Sequence, residues 1–265
     1  MYRKYDLETG EVSLVPKAAP SVYRNGKQVT STQPYIPVQN KIVQHGERSI
    51  IGNDDRVPIT ETTNYPYYAV ARLEVEYTDG TYGNATGFMV SSNVMLTAGH
   101  VCMSHASNAP VRSMRVSLGQ NGSLTPTVAY ASSYYVCANF TYFNDDDQDD
   151  YAIVVLNSNV GNTTGWFGLD YQADIFFHNY TFVITGYPLD KPTGTMWSES
   201  GSIEECSTYL LHYKMDVVAG QSGSPIYALN NVAYGINVSG TSSLNNGRRM
   251  TKEVFDWLVT NGFIS

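Results

Sequence analysis

Three short stretches of this chain carry side chains suited to acyl transfer. The first is Leu96-Thr97-Ala98-Gly99-His100, where an apolar run ends in a tight Ala-Gly turn and then a histidine. Histidine titrates near neutral pH, so one held beside a nucleophile can take and return a proton. The second is Asp149-Asp150-Tyr151-Ala152-Ile153-Val154-Val155-Leu156, a carboxylate set directly before a strand-like apolar run. Placed against an imidazole N–H, such a carboxylate fixes the tautomer and steadies the imidazolium. The third is Gly220-Gln221-Ser222-Gly223-Ser224-Pro225. Its glycines let the backbone turn sharply around Ser222, which predicts that the amides of Gly220 and Ser222 converge as an oxyanion hole. Each stretch alone has an ordinary reading, as a structural histidine, a strand cap or a loop. Together they supply base, orienting acid and nucleophile.

The elements that must position these groups read as strands. Short apolar runs recur at Tyr68–Tyr77, Gly87–Leu96, Ser113–Leu118, Ala152–Leu156, Phe182–Ile184, Tyr209–Met215, Pro225–Leu229 and Asn231–Val238, each punctuated by Gly, Asn, Asp or Pro. Many short strands at this spacing predict an all-β sandwich or closed barrels. The clearest helical signal lies at the C-terminus. There Thr251 can cap, and Val254, Phe255, Leu258 and Val259 share one face. Residues 1–48 differ: they are polar and basic, without sustained helical or strand periodicity, and read as an extended pro-segment or linker ahead of a main domain at 49–265.

Composition narrows the functional classes. The chain has 265 residues and a net charge of -8, with 15% charged residues and 21 tyrosines. The charge is uneven: residues 1–48 carry seven Lys/Arg against four Asp/Glu, or +3, which leaves nine against twenty, or -11, for the rest. An acidic main domain argues against nucleic acid or an anionic membrane as partner. No apolar run of ~18 residues suggests a membrane-spanning helix, and Met1-Tyr-Arg-Lys-Tyr lacks the apolar core of a secretory signal. Three cysteines, Cys102, Cys137 and Cys206, allow at most one disulfide and make no framework. His105, His178 and His212 stand outside any motif. The acidic run Asp145-Asp146-Asp147-Gln148-Asp149 lacks the spacing of a calcium loop and reads as a solvated turn. No metal or cofactor is expected.

The order His, Asp, Ser and the stretches themselves resemble the bacterial glutamyl endopeptidases, a branch of the trypsin-like serine proteases. Ser49-Ile50-Ile51-Gly52-Asn53-Asp54-Asp55-Arg56 resembles a mature start, followed by Thr62-Thr63-Asn64-Tyr65-Pro66-Tyr67. Gly186-Tyr187-Pro188-Leu189-Asp190-Lys191, Met215-Asp216 and Arg249-Met250-Thr251-Lys252-Glu253-Val254-Phe255 continue the likeness to about Leu258. The resemblance implies two six-stranded antiparallel β-barrels with a C-terminal α-helix. It implies His100, Asp150 and Ser222 as triad, Gly220 and Ser222 as oxyanion hole, and a secreted, monomeric endopeptidase acting on proteins or peptides. It also implies a cut between Arg48 and Ser49, the new amino terminus ordering the specificity pocket.

The departures lie in the pocket and in one bridge. A disulfide of the bacillary members would join the positions of Ala85 and Val101. The histidine that reads glutamate falls at Asn237, within Tyr234-Gly235-Ile236-Asn237-Val238-Ser239-Gly240. Val217 stands where a hydroxyl residue is usual. With Val217, Asn237, Val238, Ser239 and Gly240 as substrate-binding positions, a weakened preference for glutamate is expected. The alternative class is a protease-like binding module without activity. Such modules commonly replace a triad member, and here all three are present.

Overall fold

A computed structural model describes residues 1–17, 23–24, 27–28, 31–35, 54–104, 107–138, 140, 147–228, 230–240 and 243–265. Six strands close on themselves around the first core: Val70–Tyr77, Tyr82–Met89, Val94–Thr97, Val111–Leu118, Thr127–Cys137 and Ala152–Leu156. The ring closes because Ala152–Leu156 pairs with Val94–Thr97 on one side and with Thr127–Cys137 on the other. Apolar side chains from all six meet inside, among them Leu73, Phe88, Leu96, Val116, Tyr134 and Ile153, all fully buried. The expected single strand Gly87–Leu96 is two strands, joined by a turn at 90–93 that a continuous apolar count does not reveal.

The second sheet runs Ile203–Cys206, Leu210–Tyr213, Asn245–Arg249, Val232–Gly240, Pro225–Ala228, Phe182–Gly186 and Met196–Gly201 in spatial order. It is a half-barrel, where a second closed barrel was expected. The outer edge of Met196–Gly201 is taken by Val57–Ile59, with Met196 opposite Ile59 and Ser198 opposite Val57, so its ladder is spent on that segment. The helix Lys252–Thr260 buries Val254, Phe255, Trp257 and Leu258 against the first core. Thr251 sits at its N-cap position but makes no capping bond there. Cys102, Cys137 and Cys206 are thiols, with no disulfide among them.

The largest departure from the sequence reading lies at the start of the chain. Tyr2–Asp6 and Val12–Val15 form a hairpin, and Tyr2–Asp6 extends the first barrel's sheet by pairing with Ser133–Cys137. Tyr2 is fully buried, its ring 4.2 Å from that of Trp257 and its hydroxyl 2.6 Å from that of Tyr151. Tyr5 stacks on Tyr134, the Trp257 indole donates to Pro16 O, and Lys17 pairs with Asp149 at 3.1 Å. Further along, Thr32 and Tyr35 bond to the backbone of Leu169 and Trp166. The apolar signal of this strand is carried by two tyrosines among Arg, Lys and Asp, so it falls below a count of aliphatic residues. The Arg48–Ser49 boundary lies outside the described residues.

The hairpin leads to a prediction. Losing a buried aromatic side chain costs about 3–5 kcal/mol, so residues 1–17 are held by more than the connecting chain. With a specific protease site engineered between residues 36 and 53 and cleaved, the N-terminal fragment is expected to co-elute with the main domain in native gel filtration. With Tyr2→Ala it should leave. Release of the wild-type fragment would show the hairpin to be a loose appendage.

Candidate active site

The strand Val94–Thr97 runs into a short 3-10 turn, Gly99–Cys102, which carries His100. Its neighbour Ala152–Leu156 begins two residues after Asp150, so the ladder between these two strands brings the acid to the histidine. Asp150 is buried and grips His100 at two points. One carboxylate oxygen accepts from the His100 backbone N–H at 2.7 Å, and the other lies 2.7 Å from Nδ1. A carboxylate accepts only, so Nδ1 carries the proton and Nε2 is left as the basic nitrogen.

Ser222 lies on the turn that enters the strand Pro225–Ala228. Gly220 and Gly223 have φ of +93° and +88°, the left-handed region that glycine tolerates. Space adds a second demand at Gly223, where a Cβ would stand 2.1 Å from Thr86 O and 2.2 Å from Thr97 Oγ1. The Ser222 turn is therefore pressed, at the junction of the two sheets, against the strand end that leads to His100.

The turn is threaded with hydrogen bonds, two amides excepted. Gln221 N donates to Val218 O, Gly223 N to Asn237 O, and Ser224 N to Gln221 O, at 2.7–3.0 Å. Among the described residues, the N–H groups of Gly220 and Ser222 have no such partner. Native proteins pair nearly all buried amides, and Gly220 is buried. Two bare amides flanking a paired one form a donor site of the kind that stabilises an oxyanion.

Sequence reasoning missed the residue that docks this turn onto the first barrel. Thr86, fully buried on strand Tyr82–Met89, donates its hydroxyl to Gly220 O at 2.8 Å and accepts from Tyr187 N at 3.0 Å. Its backbone N–H donates to Ser222 O at 2.9 Å, and its carbonyl accepts from Thr97 Oγ1 at 2.7 Å. The signal available was a lone threonine in an apolar strand, with partners 11 to 136 residues away.

The expected pocket residues divide. Asn237 is buried, and its side chain is committed to the protein: Oδ1 accepts from Tyr213 OH at 2.6 Å, and Nδ2 donates to Gln221 O at 2.8 Å. Expected to face substrate, it acts as a clamp on the Ser222 turn. Val238 is buried, Ser239 donates to Asp147, and Gly240 is exposed at the strand end. Val217 is partly buried against the second core. Beside it, Asp216 N donates to Glu199 at 2.8 Å, and burial, with the carboxylates of Asp216 and Asp55 nearby, pushes Glu199 up to about 7. Of the acidic run, Asp147 accepts from Ser239 and Asn246 and Asp149 pairs with Lys17, while Asp145 and Asp146 lie outside the described residues. His212 bonds to Asn246 and His178 lies beside Cys206, while His105 falls outside the described residues.

Thr86→Val keeps the shape and deletes the hydroxyl, leaving Gly220 O and Tyr187 N unpaired. A stability loss of about 1–3 kcal/mol is expected, with kcat falling more than KM rises. Thr86→Ser should restore both. Steady-state kinetics with urea unfolding on the three proteins checks this, and an unchanged kcat in Thr86→Val would remove Thr86 from the site.

Known proteins resemble this chain over most of its length. The Trypsin family matches residues 59–258. A Bacillus subtilis protein named extracellular metalloprotease is 36% identical over 214 residues, which cover 78% of this chain and 68% of that protein. The glutamyl endopeptidase of Bacillus licheniformis is 36% identical over 223 residues, covering 80% and 68%. A solved Glu endopeptidase, in complex with MPD, superposes with a TM-score of 0.69 at 27% identity, covering 80% of this chain and 98% of that one. The chain belongs to the trypsin family of serine proteases, on the branch of the glutamyl endopeptidases.

Proposed function

We propose that this chain is a secreted endopeptidase that cuts peptide bonds through Ser222, His100 and Asp150. The two-point grip of Asp150 on His100, beside a serine turn with two bare amides, carries the reading. Ser222 Oγ bonds to the scissile carbonyl carbon as its proton passes to His100 Nε2. The carbonyl oxygen, now an anion, accepts from the amides of Gly220 and Ser222. The intermediate collapses by breaking the C–N bond, and His100 returns the proton to the leaving amine. Water, deprotonated by the same nitrogen, then releases the acid and restores Ser222. One B. subtilis relative bears a metalloprotease name, so a metal-dependent reaction is the competing chemistry. Ser222→Ala is expected to lower kcat/KM by about 10³-fold or more and to abolish labelling by a peptide phosphonate. EDTA should leave the wild-type rate unchanged. Full activity in Ser222→Ala, or complete loss with EDTA, would refute the serine mechanism.

For the residue before the cut, we propose a shift from glutamate toward small or uncharged side chains. A desolvated carboxylate needs donors or positive charge. Val217 offers neither, and Asn237 has given both its polar atoms to the protein. Glu199 and Asp216 add negative charge on the Val217 side. Digesting a mixed peptide library and mapping the ends by mass spectrometry should show most cuts after uncharged residues. Strict cleavage after Glu would overturn this.

Residues 1–48 act, in this proposal, as an activation segment cut between Arg48 and Ser49. Asp55, six residues beyond Ser49, donates its backbone N–H to Asp216, and these two carboxylates supply negative charge for a new ammonium group.

A further inference from the structure

Arg56 lies far from the three motifs in sequence, yet its side chain is 3% exposed and reaches the serine turn. A guanidinium has five N–H donors in a planar fork. Nε and Nη2 donate to Asp54 at 2.9 and 3.1 Å, and Nη2 and Nη1 donate to Asp190 at 2.6 and 3.2 Å. The two carboxylates are about 40% exposed and compensate the buried charge. The remaining contact goes elsewhere: Nη1 donates to the side-chain oxygen of Gln221 at 2.9 Å.

Gln221 is the residue between the two bare amides. It is 1% exposed. The oxygen that receives Arg56 also accepts from the Val218 backbone N–H at 3.1 Å, so it pins the turn from its own start. Its backbone carbonyl is held by Asn237 Nδ2 and Ser224 N. The amide, the carbonyl and the side-chain oxygen of Gln221 are thus fixed from behind, while among the described residues the amides of Gly220 and Ser222 on either side face no protein acceptor. Rotating the Gln221 peptide would swing those two amides apart. A bond from a charged donor is stronger and more directional than one from a neutral donor, which makes the guanidinium a stiff anchor at this point.

We propose that Arg56 is a positioning residue for acyl transfer: through Gln221 it holds the Gly220–Ser222 turn in the form that presents both amides to the oxyanion. The proposal rests on Ser222 being the nucleophile. It assigns a role to a cation on the segment 54–56 itself, independent of any new amino terminus at Ser49. The competing account is purely structural, with Arg56 tying that segment to Asp190 and the turn indifferent to it.

Kinetics separate the two. In Arg56→Ala, kcat is expected to fall about 10–100-fold, with KM within about threefold. Affinity for a peptide aldehyde, whose carbonyl carbon bonds to Ser222 Oγ and whose oxygen then meets the two amides, should fall in step with kcat. Affinity for the product peptide should not. Added guanidinium chloride, at concentrations where sodium chloride has no effect, should recover about tenfold or more of the lost rate by refilling the space left by the side chain. Gln221→Met covers the case in which Arg56→Ala does not fold, since Arg56 keeps both carboxylates and loses only its link to the turn. The same fall in kcat and in aldehyde affinity is expected there. Adding Arg56→Ala to Gln221→Met should then cost little further rate. A kcat within twofold of wild type in either single variant would overturn the proposal. So would a loss in Arg56→Ala that tracks unfolded protein and does not respond to guanidinium. Ser222→Ala, run alongside, tells the failures apart: if it stays active the mechanism itself falls, and if it is dead while the Arg56 and Gln221 variants are normal, only this inference falls.

Discussion

The site depends on one docking contact, the four hydrogen bonds that Thr86 makes at the seam between the two sheets. The proposed base, His100, and its partner Asp150 belong to the closed barrel, and the proposed nucleophile, Ser222, belongs to the half-barrel. Nothing in either sheet alone fixes the distance between them. Thr86 belongs to the first barrel, yet its hydroxyl and amide hold the backbone of Gly220 and Ser222, and its carbonyl accepts from Thr97, three residues before His100. It couples the nucleophile turn to the strand that presents the base. Because Thr86 is fully buried, water offers no replacement partners, and the contact is all-or-none.

Around that seam most backbone polar groups are paired, while Ser224 Oγ, in the turn itself, is buried without a partner. The Asp150 carboxylate has both oxygens engaged by one histidine, once through its ring and once through its backbone. Ring and main chain therefore move together, and the imidazole cannot turn without losing a bond. The Gln221 peptide is paired at both ends, while the amides on each side of it are bare. Leaving two donors unpaired raises the energy of the folded state, and the surrounding clamps from Thr86, Arg56 and Asn237 offset that cost.

Much of the proposed site was legible in the sequence because its determinants are local. A histidine after a strand, an aspartate before one and a serine between glycines each declare themselves within six residues, and strand pairing does the rest. The closed barrel was legible in outline, since its strands alternate or run apolar. What was hidden is non-local. Arg56 finds Gln221 across 165 residues, and Thr86 finds Gly220 across 134. The strand Tyr2–Asp6 joins a sheet whose core is built by other residues, so its own pattern had no need to be strongly apolar. The pairing of Val57–Ile59 with Met196–Ser198 joins segments about 140 residues apart, which a strand count cannot reveal.

Asn237 holds the Ser222 turn by both its main chain and its side chain. Its main chain holds the Ser222 turn: Gly223 N donates to Asn237 O, and Asn237 N donates to Ser224 O. Those bonds are blind to side-chain identity, so any residue compatible with the strand preserves them. The side chain adds a further hold, turned inward to Tyr213 and to the carbonyl of Gln221. Backbone bonds fix the turn whatever residue stands at 237, while the bonds from Oδ1 and Nδ2 require an amide there, so the one strand carries both a hold that tolerates substitution and one that does not.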